Sequence, residues 1–342
     1  MSKAPAPSPW RIFAFSGTAT IGILVAVLFG LGGQALFVTA VLAIIEVTFS
    51  FDNAIINAKV LAKLSRGWQT LFLTLGIVVA IFGMRVLFPI AIVSLTAHLG
   101  WHDVVNLALH HPKDYAHHLE QAHTTIASFG GGFLLLLALS FFLSRGKKVH
   151  WLKPERTLAR YSHWLLAPVV AVAVVAAISF AAGSREHDKV LTAGLLGIAT
   201  YLAIQLLDAL FERLRERSEH RGAGAGTTMA ALASLLYLEI LDASFSFDGV
   251  IGAFAITSDI VLIAAGLGIG ALWVRSLTVY MVRHELLGRY RFIEHGAHYT
   301  VLVLALVLLL SVLWSISDFI PGIAGLAIIG SSIAASVRAE KR

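Results

Sequence analysis

The sequence predicts an all-α protein: a polytopic membrane bundle of about ten transmembrane helices, nine at the fewest, built as two inverted-topology repeats of five. Three observations predict it. The composition is apolar and falls into helix-length runs. The basic residues are distributed unequally between alternate loops. An acidic motif occurs twice, once in each half of the chain.

Of 342 residues, 58% are hydrophobic and 13% charged, with a mean hydropathy of +0.82. A soluble domain is about 45–50% apolar and about 25% charged. A helix needs roughly 20 residues to cross the hydrocarbon core. Ten stretches qualify: 12–30, 35–62, 69–98, 124–144, 161–182, 190–211, 227–256, 258–282, 297–315 and 319–337. The second, third and seventh are long enough to be tilted, broken or extended past the lipid. The last contains "PGIAG" and has a re-entrant path as its alternative. The N-terminal "MSKAPAPSPWRIFAFSG" carries no cleavage pattern after an apolar core and reads as a short tail before the first helix.

Loop charge sets orientation. With the N-terminus placed in the cytoplasm, the inner segments hold 21 Lys and Arg and the outer loops hold 3, Lys113, Arg185 and Lys189. Two more, Arg85 and Arg275, fall inside spans. This asymmetry predicts an even number of crossings and both termini on the cytoplasmic side of an inner (cytoplasmic) membrane. The net charge of +6 therefore serves topology and not nucleic-acid binding. Without cysteine, disulfides and thiolate metal sites are excluded. No Gly-rich loop with Lys and Ser/Thr is present to cradle nucleotide phosphates.

The repeat is read from "EVTFSFDNAI" at 46–55 and "DASFSFDGVI" at 242–251, whose aspartates lie 196 residues apart. Downstream, "GIVVAIFGMR" ends at Arg85 and "GLGIGALWVR" ends at Arg275, 190 residues apart. Spans two and three thus correspond to spans seven and eight. The repeats are residues 1–183 and 184–342, and an odd number of spans in each inverts one against the other. Inverted repeats with interrupted polar helices are a design of secondary transporters.

At about 100° per residue, Glu46, Ser50, Asn53 and Asn57 share one helix face, and Asp52 lies well off it. In the second copy Asp242, Ser246 and Gly249 share the equivalent face, Glu239 lies near it, and Asp248 is off it. Local unwinding at each "SFD" step would reconcile the aspartates with the polar face and free carbonyl oxygens as ligands. Five acids in mid-span, Glu46, Asp52, Glu239, Asp242 and Asp248, face two arginines. Each costs roughly 2.5–3.5 kcal/mol on insertion scales. The surplus calls for protons or a bound cation. Hard oxygen donors without thiolates suit Mn²⁺, Mg²⁺ or Ca²⁺. The metal-ligand set expected is Glu46, Asp52, Asn53, Asp242 and Asp248, with Glu239 lining the same site. Ser50, Ser246, Asn57, Arg85 and Arg275 are its secondary members. Arg85 and Arg275 could instead pair with Asp248 and Asp52 and lock the halves together.

Half of the 14 histidines, His98, His102, His110, His111, His117, His118 and His123, fall between the third and fourth spans. This tract is expected as an outer loop that gathers metal, senses acidity or simply faces water. "FGGGFLLL" at 129–136 is expected to form a small-residue face for close helix packing.

The motifs resemble those of a known family. "EVTFSFDN" is similar to the first acidic signature of the TerC family, and "EILDASFSFDGVIGAFAIT" is similar to its second. "FGMR", "WVR" and "FGGGFLL" also resemble that family, and the likeness spans both halves. It departs where the family's Asp-Ser is Asp248-Gly249 and the family's proline is Ile251. TerC-like proteins belong with the LysE exporters, and their members are linked to tellurium resistance and Mn²⁺ efflux. The resemblance implies a metal exporter and no enzyme. It would have no permanently bound cofactor, Mn²⁺ as favoured cargo with Ca²⁺, Mg²⁺ and Zn²⁺ open, and protons as counter-ion. It maps the family's polar positions onto Glu46, Asp52, Asn53, Glu239, Asp242 and Asp248. The alternatives are an exporter of a small cationic or polar solute, an intramembrane aspartyl protease using Asp52 and Asp248, and a non-transporting sensor.

Overall fold

The computed structural model describes residues 8–144, 149–160, 165–219, 225–257, 259–317 and 319–340. Within them the side chains of Ser246 and Asp248 lie outside the described residues. The chain is an all-α membrane bundle without strands among the described residues. Its elements are α1 (Pro9–Leu31), α2 (Gly33–Phe49), α3 (Phe51–Leu61), α4 (Arg66–Val78), a π-helical segment (Val79–Leu87) and α5 (Phe88–Ala97). Next come α6 (Trp101–His110), α7 (Pro112–Phe142), α8 (Lys153–Arg160), α9 (Leu166–Ala181) and α10 (His187–Glu219). The last are α11 (Ala225–Ile256), α12 (Ile260–Arg283), α13 (Leu286–Arg289), α14 (Ile293–Ser311) and α15 (Phe319–Glu340).

Each of the ten predicted stretches is helical over most of its described residues. Among the described residues, seven helical runs, or eight with the α2–α3 pair taken as one bent span, are long and apolar enough to cross a membrane. Their outward surfaces are oily. On α1, Trp10, Phe15, Ile21 and Phe29 are exposed, and on α15 Ile320 and Ile323 are. Contiguous apolar surface of this kind is covered by lipid or by a partner.

Two elements differ from expectation. The histidine tract is not a loop: α6 and the start of α7 take it up. With 31 residues, α7 is about 46 Å long, against roughly 30 Å of hydrocarbon. The last stretch is one continuous 22-residue helix, as the reading of it as a span expects. Of the two "SFD" steps, only the first interrupts its helix.

The chain forms two compact units, Met1–Ala122 with Phe245–Tyr290, and His123–Ser244 with Arg291–Arg342. Each draws on both sequence halves. In the first unit α12 is central and packs on α1, α2, α3, α4 and the π-helical segment. It begins at an Asp259 cap, whose Oδ1 accepts from the backbone N–H of Val261 at 2.8 Å and Leu262 at 3.3 Å. Such a cap satisfies N–H groups that the first helical turn leaves open. Phe13 stacks on Trp273 at 5.6 Å, the Trp273 indole donates to Thr20 Oγ1 at 3.0 Å, and Ser16 Oγ donates to the Leu272 carbonyl at 3.0 Å. These contacts fix α1 along one side of α12.

In the second unit the "FGGGFLLL" face does what its small residues suggest. A Cβ at Gly132 would strike the Gly194 backbone of α10, and one at Gly131 would strike Leu309 of α14. The α14–α15 pair is tied by Ser336 Oγ, which accepts from the Phe292 N–H at 2.9 Å. At one end of α14, His295 Nδ1 meets the buried Glu155 carboxylate of α8 at 2.8 Å. The same carboxylate accepts from the Trp151 N–H at 3.1 Å. Burial pushes the Glu155 carboxyl up, but the His295 contact and the N–H donor outweigh it and hold the group below its ordinary value.

Candidate functional site

The site is built where α2 gives way to α3. The two helices meet at Ser50, whose backbone (φ −93°, ψ 15°) leaves the helical path, and their axes differ by 52°. Glu46 sits one turn before the break and Asp52 two residues after it. A broken helix leaves backbone groups near the break without partners in their own helix. Asp52 meets one of them: its Oδ1 accepts from the Asn53 N–H at 2.9 Å. An acid in the first turn of a helix is also favoured by the helix dipole. So the aspartate that lies off the polar face helps begin the second helix.

Glu46 is buried, 4% exposed. Its Oε1 accepts from Arg85 Nη2 and from Ser50 Oγ, the latter at 3.3 Å. Arg85 comes from the π-helical segment and is also buried. Pro89, in the first turn of α5, has no N–H to return to the Arg85 carbonyl, which an uninterrupted α-helix would require. A π-helical stretch there is consistent with that missing bond, and such stretches are frequent at functional sites.

Two glycines make room for the carboxylate. A Cβ at Gly270 of α12 would collide with Glu46 Cβ and Cγ, and one at Gly249 of α11 would lie 2.9 Å from Glu46 Oε2. Gly266, one turn before Gly270, admits Leu42 in the same way. Small residues at four-residue spacing let two helix backbones approach closely.

Beyond the break, Asn53 and Asn57 lie one turn apart on α3, and both are buried, at 2% and 3% exposure. Asn57 Oδ1 has no hydrogen-bond partner. On the other side of Glu46, the hydroxyl of Thr39 is buried and equally without a partner. Thr39 precedes Glu46 by two helical turns and extends the same face. Sequence reasoning passed over it, although its spacing of seven was a readable signal.

Arg275 of α12 is buried as well. Its Nη1 donates to the Phe72 carbonyl at 3.1 Å, and its guanidinium carbon lies 4.3 Å from the centre of the Phe72 ring. The expected polar residues therefore divide. Glu46, Ser50, Arg85 and Gly249 come together. Asp52, Asn53 and Asn57 line the next turns. Asp242 is buried and Glu239 half-buried on the part of α11 that belongs to the second unit. Ser246 and Asp248 lie outside the described side chains. The backbone of α11 runs unbroken past both, which corrects the expectation of unwinding at the second "SFD" step. Among the described residues no three His, Asp or Glu side chains converge as a ready metal cluster.

Next to the ion pair lies a small, mostly apolar cavity bordered by Arg85, Pro89, Tyr115, Val250, Phe254 and Ile263. The Tyr115 and Phe254 rings on its wall are 5.8 Å apart.

Residues 51–342 match the family described as a protein of unknown function, DUF475. The match covers most of the chain and begins at the first residue of α3; the chain belongs to this family. No curated protein and no solved structure matches it.

Proposed function

We propose that this member of the DUF475 family is a membrane transporter that exports a divalent cation, with Mn²⁺ the favoured cargo and protons the counter-ion. One observation carries the reading. Glu46, Asp52, Asn53 and Asn57 are buried along a membrane helix that breaks between the two acids. Ionisable groups at such depth are costly and mark ion pathways more often than architecture. Carboxylate, carboxamide and backbone carbonyl oxygens are hard donors, suited to Mn²⁺, Ca²⁺ and Mg²⁺. With no preformed cluster of three acids or histidines among the described residues, the shell would draw on Asn53, Asn57 and carbonyls at the break. Interrupted helices at a polar site are also how transporters combine binding with a hinge. The likeness of the two acidic motifs to those of TerC proteins supports the same cargo class.

The test is ion flux in vesicles reconstituted with the purified protein. The wild type is expected to move Mn²⁺ along an imposed gradient. Asp52→Asn is expected to slow it at least about 100-fold, about 2.7 kcal/mol in activation terms, while eluting as the same folded species. A wild type that neither binds nor moves any divalent cation overturns the proposal. Movement of a small organic cation in its place would change the cargo and keep the transporter.

A further inference from the structure

We infer that Arg85 is a tethered competitor for the cargo site: it holds Glu46 while the site is empty and withdraws into the adjoining aromatic-walled cavity when a cation arrives. The inference rests on the cation-transport reading and assigns a residue that governs the empty carrier.

The starting point is charge. Glu46 and Arg85 are both buried and directly paired, so the resting site is already close to neutral at this carboxylate. Removing the arginine alone would leave a buried, uncompensated carboxylate, which a membrane interior does not tolerate. A divalent cation arriving at Glu46 with Arg85 in place would instead meet a like charge at contact distance. Arg85 and Ser50 both hold Oε1 of this carboxylate, so a cation that takes both carboxylate oxygens displaces the guanidinium. Arg85 must have a second place to lie.

The structure offers the beginning of one, a cavity of about 20 Å³ that takes a water-sized group and admits the guanidinium only as the rings on its wall part. The cavity beside the pair is bordered by Arg85 itself, and Tyr115 and Phe254 form part of its wall. Aromatic faces hold guanidinium groups away from water. The molecule already uses this arrangement once: buried Arg275 lies over the Phe72 ring and donates to its carbonyl. Arg85 also springs from the π-helical segment, a register proteins use sparingly and mostly where function needs it. The guanidinium thus has two berths, the Glu46 carboxylate and the aromatic wall. The cation shifts the balance between them by its preference for one state, as any ligand must.

Such exchange keeps the buried charge compensated in both states. It makes the empty carrier a closed, paired species able to reorient. It also sets cargo affinity, because every binding event must displace the arginine.

The experiment compares wild type, Arg85→Gln and Phe254→Leu, using Mn²⁺ binding to the purified chain and Mn²⁺-for-Mn²⁺ exchange in vesicles. Arg85→Gln removes the competitor. Binding should tighten by about tenfold or more, within the usual range of coupling between two ligands at linked sites. Mn²⁺-for-Mn²⁺ exchange, which needs only the loaded carrier, should persist. Phe254→Leu leaves the ion pair intact and weakens the second berth, so Mn²⁺ should bind more weakly. It also keeps the test decisive should Arg85→Gln not fold. Unchanged or weaker binding in a folded Arg85→Gln, or loss of exchange, overturns the inference and makes Arg85 a structural cation. Unchanged binding in Phe254→Leu overturns the aromatic berth. Failure of the wild type to bind or move any divalent cation is a different result and removes the transport reading itself.

Discussion

The same four residues, Phe-Ser-Phe-Asp, occur at 49–52 and 245–248, and the chain treats them differently. At the first copy the helix stops at Ser50 and restarts at an angle of 52°. At the second, α11 runs from Ala225 to Ile256 without interruption. Local propensity predicts the reverse. Glycine follows the aspartate in the second copy and asparagine in the first, and glycine is the weaker helix former. The difference lies in what surrounds the motif. At the first copy α12 presses its Gly266–Gly270 face onto α2, and Arg85 and Ser50 hold the Glu46 carboxylate. Asp52 then caps the Asn53 N–H where α3 begins. Tertiary contacts overrule propensity here, as they commonly do.

Three predictions probe this comparison, in order of falling effect. The largest sets both copies against a third buried acid that has a purely structural partner. Glu155 lies outside the spans, and its contact with His295 holds its carboxyl below the ordinary value. A depressed folded value contributes stability above the ordinary glutamate range and loses it as pH falls through the folded value. The melting temperature in detergent should therefore drop on acidification below that range. His295→Ala should cost about 3 kcal/mol, as removal of one partner from a buried pair does. Mn²⁺ flux per folded molecule should stay at the wild-type level. A flux loss matching that of Asp52→Asn would erase the distinction between structural and functional buried acids.

The next prediction concerns the two glycines that face Glu46 from different helices. A methyl at Gly270 meets Glu46 Cβ and Cγ, close to the backbone, where nothing can yield cheaply. A methyl at Gly249 meets only the terminal oxygen, 2.9 Å away, at the mobile end of the side chain. Gly270→Ala should destabilise by about 2 kcal/mol, the usual scale of overpacking. Gly249→Ala should change stability by less than about 1 kcal/mol and still impair flux, because it crowds the carboxylate itself. Chemical or thermal unfolding of the two variants separates them; equal costs would mean that α11 and α12 approach Glu46 alike.

The smallest effect is expected at the break. Ser50→Ala removes one side-chain hydrogen bond to Glu46, which contributes about 1 kcal/mol or less. The unfolding midpoint measures this directly. A loss well above that scale would show that Ser50 holds the break by more than this one bond.

The sequence by itself determined that the chain is helical and lives in a membrane. It determined where the helical runs fall and that Glu46, Ser50, Asn53 and Asn57 recur at helical spacing. Those properties are written in composition and in the 3.6-residue period, which are local. The structure alone decided that the helix breaks at only one of two near-identical motifs. It alone decided that Arg85 pairs with Glu46, that Arg275 lies on Phe72, and that His295 reaches Glu155. Each of these depends on groups brought together from distant places, 39 residues apart for Glu46 and Arg85 and 203 for Arg275 and Phe72. Backbone approach at Gly266 and Gly270 is what brings the first unit's helices within reach. No period in a single segment encodes which partner will be waiting across such a contact.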